Sequence, residues 1–240
     1  MSGGRPTGTD ERVIRLIMAL RRQGIADERV LSAIERTPRE MFVDEPLAYR
    51  AWDNSALPIA CGQTISQPYV VAYVTQELRL EPNMRVLEVG TGSGYQAAVL
   101  APLCRRVYTI ERHRPLLKQA EARFRALRLD NVVTRHGDGL KGWPEQAPFD
   151  RILLSAAAAE PPKILIEQLK IGGILLAPIG FVPKSDETSF PESFSQRLTR
   201  IIRTEAGYEQ EPLIPVVFVP MVSGVPQEAG RPDDRSQTRR

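Results

Sequence analysis

Val86-Leu87-Glu88-Val89-Gly90-Thr91-Gly92-Ser93-Gly94 decides how this chain folds. Apolar, β-prone residues run straight into a glycine-spaced turn, and a helical pattern over Tyr95–Leu103 follows at once. Strand, glycine loop, helix is the order in which α/β folds present bare backbone N–H groups to a ligand. The spacing G-x-G-x-G is neither the G-x-G-x-x-G of dinucleotide folds nor the G-x-x-x-x-G-K-[ST] of a phosphate loop, and no Lys stands in it to hold phosphates. The loop Gly90, Thr91, Gly92, Ser93 therefore suits a ligand with a carboxylate, a ribose and an adenine better than one with a pyrophosphate.

S-adenosyl-L-methionine has those parts, and two further strand ends fit it. Glu111 closes the second predicted strand, where an acidic residue accepts hydrogen bonds from both ribose hydroxyls across the topological switch point. His136-Gly137-Asp138-Gly139 closes the third. There Asp138 can reach an adenine amino group while the N–H of Gly139 approaches a ring nitrogen. Glu88 is a charge inside a strand that should be apolar; such a residue is either paired or faces a polar ligand. It is expected to border the methionine part of the cofactor.

Outward from the loop, the chain alternates as a parallel sheet with crossover helices does. Strands are expected at Arg85–Val89, Arg106–Ile110, Val132–His136, Arg151–Ser155 and Gly173–Pro178, with helices over Tyr95–Leu103, Pro115–Leu127 and Pro162–Leu169. Two last strands, near Gln196–Thr204 and Leu213–Pro220, lack an intervening helix and should form an antiparallel end. Upstream, helices are expected over Glu11–Arg22, from an Asp27 N-cap to before Pro38, and from Pro68 to near Leu80, with an irregular stretch over Met41–Ser66. The resulting fold class is α/β: a Rossmann-like, mostly parallel twisted sheet of about seven strands, helices on both faces, and an N-terminal helical extension. Residues 1–9 are expected to be disordered, 10–80 to form a helical, substrate-capping segment, 81–223 the cofactor-binding core, and 224–240 a flexible tail. The polar stretch Phe181–Ser195 reads as an excursion loop.

Composition excludes other classes. A net charge of +3, with no basic block and no aromatic interleaving, argues against a nucleic-acid partner. No signal pattern and no long apolar run points to a membrane, and Cys61 and Cys104 make no disulfide framework, so a cytoplasmic protein is expected. Two His and two Cys without ligand spacing argue against a metal.

The segment before the glycine loop speaks to what is methylated. Gln63-Thr64-Ile65-Ser66-Gln67-Pro68 is placed to fold over the cofactor. With Ala51-Trp52-Asp53-Asn54, Leu57-Pro58-Ile59, Pro38-Arg39-Glu40-Met41-Phe42-Val43, Arg135-His136-Gly137-Asp138-Gly139 and the Ala156–Ala159 run, the chain from Arg12 to Val222 closely resembles the protein-L-isoaspartate O-methyltransferases, class I S-adenosylmethionine-dependent enzymes. The resemblance implies repair: methylation of the free α-carboxylate of L-isoaspartyl residues, and of D-aspartyl residues in some members, in damaged proteins and peptides. The ester then cyclises to a succinimide that hydrolyses partly to normal aspartate. It also implies Ser66 as the active-site serine and cofactor contacts at Thr64, Ile65, Ser66, Glu88, Gly90, Glu111, Asp138 and Gly139.

On the substrate side, Gln63 and the small residues Ala156, Ala157 and Ala158 are expected to leave room for peptide backbone near the methyl group. A carboxylate is already ionised at neutral pH, so transfer needs alignment rather than a base. A monomer is expected. The alternative acceptor is a different carboxylate, for which the Phe181–Ser195 stretch would be the main support. Cys61 reads as a packed or incidental thiol.

Overall fold

A computed structural model describes residues 10–180 and 196–226. The residues 1–9, the Phe181–Ser195 stretch and the tail beyond 226 lie outside the described residues.

Two helices open the chain, α1 (Glu11–Arg22) and α2 (Glu28–Arg36). Asp10 and Asp27 cap them, each accepting the backbone N–H two residues on and so satisfying a donor the helix cannot. Short 3₁₀ turns lead to a two-residue ribbon, β1 (Leu57–Pro58) antiparallel to β2 (Thr64–Ile65), within the stretch expected to be irregular. Helix α3 (Pro68–Glu77) follows, with Pro68 in the first turn, where a missing N–H costs nothing.

The alternating half then builds one sheet. Its strands are β3 (Arg85–Val89), β4 (Arg106–Glu111), β5 (Val132–His136), β6 (Phe149–Leu154), β7 (Leu169–Gly180), β8 (Gln196–Thr204) and β9 (Gly207–Val216), in spatial order β5-β4-β3-β6-β7-β8-β9. β3 to β7 are parallel, and β8 and β9 return antiparallel. Helices α4 (Tyr95–Leu100), α5 (Arg114–Ala126) and the short α6 (Lys163–Ile166) connect the parallel strands. The order reverses on either side of β3, so the crevice at the carboxyl ends of β3, β4 and β6 is the switch point where such sheets bind ligands.

The period of two along the strands divides the core. Val86, Val107 and Leu153 face one side, with Leu20, Ile34, Phe42 and Val71 from the N-terminal segment. Leu87, Tyr108, Ile152 and Leu154 face the other, against Leu165 and Ile166 of α6. Residues 10–80 thus share a single apolar cluster with the sheet.

Two elements differ from expectation. The helix expected over Pro162–Leu169 is only one turn, because Gln168 is drawn into the sheet edge. Its carbonyl accepts from Phe149 N (2.8 Å), and its amide bridges Trp143 N (2.7 Å) and Lys141 O (2.9 Å). β7 therefore starts at Leu169 and shifts register before Ile174. The final strand lies at Gly207–Val216 rather than Leu213–Pro220. As an edge strand with Pro212 and Pro215 it is largely exposed and polar, so alternation does not reveal it.

Candidate active site

The glycine loop leaves β3 at the switch point and is tied down strand by strand. Gly90 and Thr91 donate to the carbonyl of Ile110 (2.9 and 3.2 Å). Gly92 donates to Glu111 Oε2 (2.8 Å), while Glu111 Oε1 takes the N–H of His113 (2.8 Å). A carboxylate has about four lone-pair sites, so the buried Glu111 keeps acceptor capacity for a diol. Gly94 has a left-handed backbone, φ +90°, and a Cβ there would lie 2.8 Å from the Phe124 ring, so only glycine lets α5 press against the loop.

Glu88 is wholly buried in β3. Thr109 donates to its Oε2 (2.6 Å), and Thr91 Oγ1 lies 2.6 Å from Thr109 Oγ1. Each hydroxyl has one proton, so with Thr109 committed to Glu88 the donor between the threonines is Thr91. Glu88 Oε1 has no partner among the described residues. Burial pushes this carboxyl up to about 8, against the Thr109 bond, with the nearby Glu111 charge adding to the rise. At neutral pH it is mostly protonated, a site ready to ionise when a cation arrives.

A cavity of about 530 Å³, of the size small-molecule sites have, opens over these strand ends. Glu88, Gly90, Thr91, Gly92 and Ser93 line it from β3 and its loop, Glu111 from β4, and Gly139 from beyond β5. Gln63, Thr64, Ile65 and Ser66 line it from β2, and Ala156 from the turn after β6. The Ser66 hydroxyl has no partner among the described residues, while its carbonyl accepts from Arg39 (2.9 Å). Gly139 is fitted tightly: a Cβ would lie 2.3 Å from Val89 Cγ1.

Asp138, Ala157 and Ala158 are not in the lining. Asp138 accepts Leu140 N on Oδ1 (2.9 Å) and Gly224 N on Oδ2 (2.8 Å). Ala157 bonds in both directions to the segment after β9, giving its N–H to Val219 O and accepting from Met221 N, each at 2.8 Å. Ala158 bonds likewise to Pro178 and Gly180 of β7. The backbone drawn against these small residues is the chain's own. That segment, Val217–Val222, roofs the cavity, and the sequence reading missed it by assigning it to a strand. Ser155 and Arg112 were missed as well, since nothing in their immediate pattern marks them. Cys61, at the tip of the β1–β2 turn, is exposed rather than packed.

The sequence profile described as protein-L-isoaspartate(D-aspartate) O-methyltransferase matches residues 11–226. The chain belongs to the protein-L-isoaspartate O-methyltransferase family. A relative from Paramagnetospirillum magneticum is 56% identical over 219 residues, covering 91% of this chain and 98% of its own. One from Rhodospirillum centenum is 53% identical over 229 residues, 95% of this chain and 99% of its own. Both are named protein-L-isoaspartate O-methyltransferase. Among solved structures, a family member from Plasmodium falciparum in complex with S-adenosyl-L-homocysteine superposes with a TM-score of 0.70 at 26% identity, over 87% of this chain and 97% of that one. Another protein-L-isoaspartate O-methyltransferase gives 0.73 at 26% identity; this chain spans 65% of its length. The family's Rossmann-like class I methyltransferase fold is therefore this chain's fold.

Proposed function

We propose that this protein transfers a methyl group from S-adenosyl-L-methionine to the free α-carboxylate of L-isoaspartyl residues in damaged proteins, with Ser66 meeting the accepting carboxylate. The observation that carries the reading is that Ser66 and the loop residues Gly90, Thr91, Gly92 and Ser93 stand on walls of one cavity in a chain of this family. Glu88 supports the fit of the cofactor: its Oε1 is a buried polar atom left without a partner beside the loop. Bound there, S-adenosylmethionine supplies a methyl group on a sulfonium, which leaves readily.

The chain's own residues do the rest. Ionised Glu88 offsets the positive charge of the cofactor, and Glu111 accepts the ribose hydroxyls on lone pairs that Gly92 and His113 leave free. Gly139 admits the adenine side, with Asp138 holding the adjoining turn and the roof segment together. The Ser66 hydroxyl donates to one oxygen of the substrate carboxylate and turns the other toward the methyl. Since the carboxylate is ionised at neutral pH, no proton has to be removed, and rate comes from alignment. Gln63 and Ala156 border the place where the substrate backbone enters.

The same reading has a monomer at work in the cytoplasm, with isoaspartyl-containing proteins as partners and neither nucleic acid nor membrane. Its supports are the free thiols of Cys61 and Cys104 and the scattered basic residues; no helix among the described residues is long and apolar enough to cross a membrane. Gel filtration should give the mass of one chain, and a dimer's mass would remove the monomer.

The deciding experiment is transfer from labelled S-adenosylmethionine to a short isoaspartyl peptide beside its aspartyl twin. Base-labile label on the isoaspartyl peptide alone is expected. Equal labelling of both, or of neither while the cofactor binds, would refute the assignment.

A further inference from the structure

Arg39 is wholly buried, yet among the described residues it makes no ion pair. Arg123 is half-buried and likewise unpaired. Burial draws both guanidinium groups below their ordinary pKa, and a charge taken out of water costs stability unless polar groups replace the water. Arg39 finds it in three carbonyls, those of Ala51, Ser55 (3.2 Å) and Ser66 (2.9 Å), all in the irregular segment that carries one wall of the cavity. Its guanidinium also lies over the Tyr95 ring, 5.5 Å from the centroid. Tyr95 meets Phe42 edge-on at 5.4 Å, and the Arg123 guanidinium lies 5.9 Å from the other ring of that pair, Phe42. Arg123 then donates to the carbonyl of Ser93 in the glycine loop (2.9 Å).

These contacts form one column. Its ends hold the carbonyls of Ser66 and Ser93, one on the acceptor wall and one on the donor wall of the same cavity. We propose that Arg39 is a positioning residue for methyl transfer, and that the Arg39–Tyr95–Phe42–Arg123 column sets the separation between Ser66 and the cofactor loop. This rests on the role of Ser66 given above. The other anchors of the acceptor wall are local: the two-residue β2, Gln67 donating to the Asn54 carbonyl (2.8 Å) and Tyr69 N donating to Asn54 Oδ1 (2.9 Å), none of which reaches the glycine loop. In-line transfer is sensitive to displacements of about 1 Å, and a guanidinium fork can bind three carbonyls in fixed directions where an ammonium cannot.

The test compares wild type, Arg39→Lys, Arg123→Lys and the double variant. Turnover of an isoaspartyl peptide is normalised to sites that bind S-adenosylhomocysteine by calorimetry, so misfolded protein does not count. Arg39→Lys should lower kcat about 10- to 100-fold while the peptide KM and the cofactor Kd move by less than about threefold. The double variant should lose less than the product of the single losses, because either change already breaks the column. Phe42→Leu, which leaves both arginines in place and removes one of the two rings between them, should reproduce the kcat loss even if Arg39→Lys fails to fold. An unchanged kcat per binding site in the variant that folds overturns the proposal, as do strictly multiplicative losses. Wild type inert toward the peptide overturns the reading of Ser66, and the column's role with it; an active wild type beside an equally active variant overturns the column alone.

Discussion

Replacing Glu88 with Gln keeps the side chain's shape and removes a proton that burial holds up to about 8, against an ordinary 4.5. Between those two values the unfolded chain has released the proton while the folded protein retains it, so folding takes up a proton. Stability from this site is full below pH 4.5 and is lost as pH rises through 8. At about 1.4 kcal/mol per unit, the whole window is worth about 5 kcal/mol, and the part between pH 5.5 and 8.5 about 3 kcal/mol. Glutamine has nothing to lose there, and its amide can still take the Thr109 hydrogen bond. Urea unfolding of both proteins at about pH 5.5, 7 and 8.5 reads the difference directly: Glu88→Gln should gain on wild type by about 3 kcal/mol across that range. The variant should also bind S-adenosylmethionine more weakly, and lose the rise in affinity, up to about tenfold per pH unit, that wild type shows below pH 8 as ionisation and binding go together. Parallel stability curves for the two proteins would refute the reasoning, since they would mean that Glu88 is already ionised in the free fold.

Other changes probe the remaining walls. Ser66→Ala should cut kcat about 10- to 100-fold and leave cofactor affinity within about threefold, measured by peptide methylation and calorimetry. Glu111→Ala removes the acceptor for two backbone N–H groups as well as the proposed ribose contact, and should weaken cofactor binding about 10- to 100-fold. Gly139→Ala forces a methyl group onto Val89 and should lower stability by about 1–3 kcal/mol, with partial recovery in Gly139→Ala/Val89→Ala. Thermal unfolding of the pair checks it; no recovery would mean that the strain lies elsewhere.

What the sequence disclosed follows its local physics. The glycine loop, the acidic residue ending β4 and the buried charge in β3 are local patterns, and their strand ends do meet at the switch point. The antiparallel end of the sheet was legible because the chain between the last two strands is too short for a crossover helix, but β9 was misplaced, since an exposed edge strand has no buried face to alternate with. Arg39 stood in a stretch that carries the resemblance, but its contacts were hidden for a different reason. An arginine between Pro38 and Glu40 looks like surface, and only the fold shows three carbonyls closing round it. The roof at Val217–Val222 was hidden too, because its partner Ala157, like the Asp138 that holds Gly224 just beyond it, lies more than fifty positions upstream.

That roof has a consequence for when the molecule starts to work. β3, β4 and the glycine loop are all synthesised before residue 140, so a chain still on the ribosome can assemble the floor of the site early. The bonds from Ala157 to Val219 and Met221, and from Asp138 to Gly224, can form only after those late residues have emerged. A growing chain, or a fragment cut before Val217, therefore lacks the residues that line this side of the cavity. Completion of the cavity therefore waits on residues far downstream of the glycine loop, and a copy clipped before Val217 loses part of its lining while β3, β4 and the loop remain.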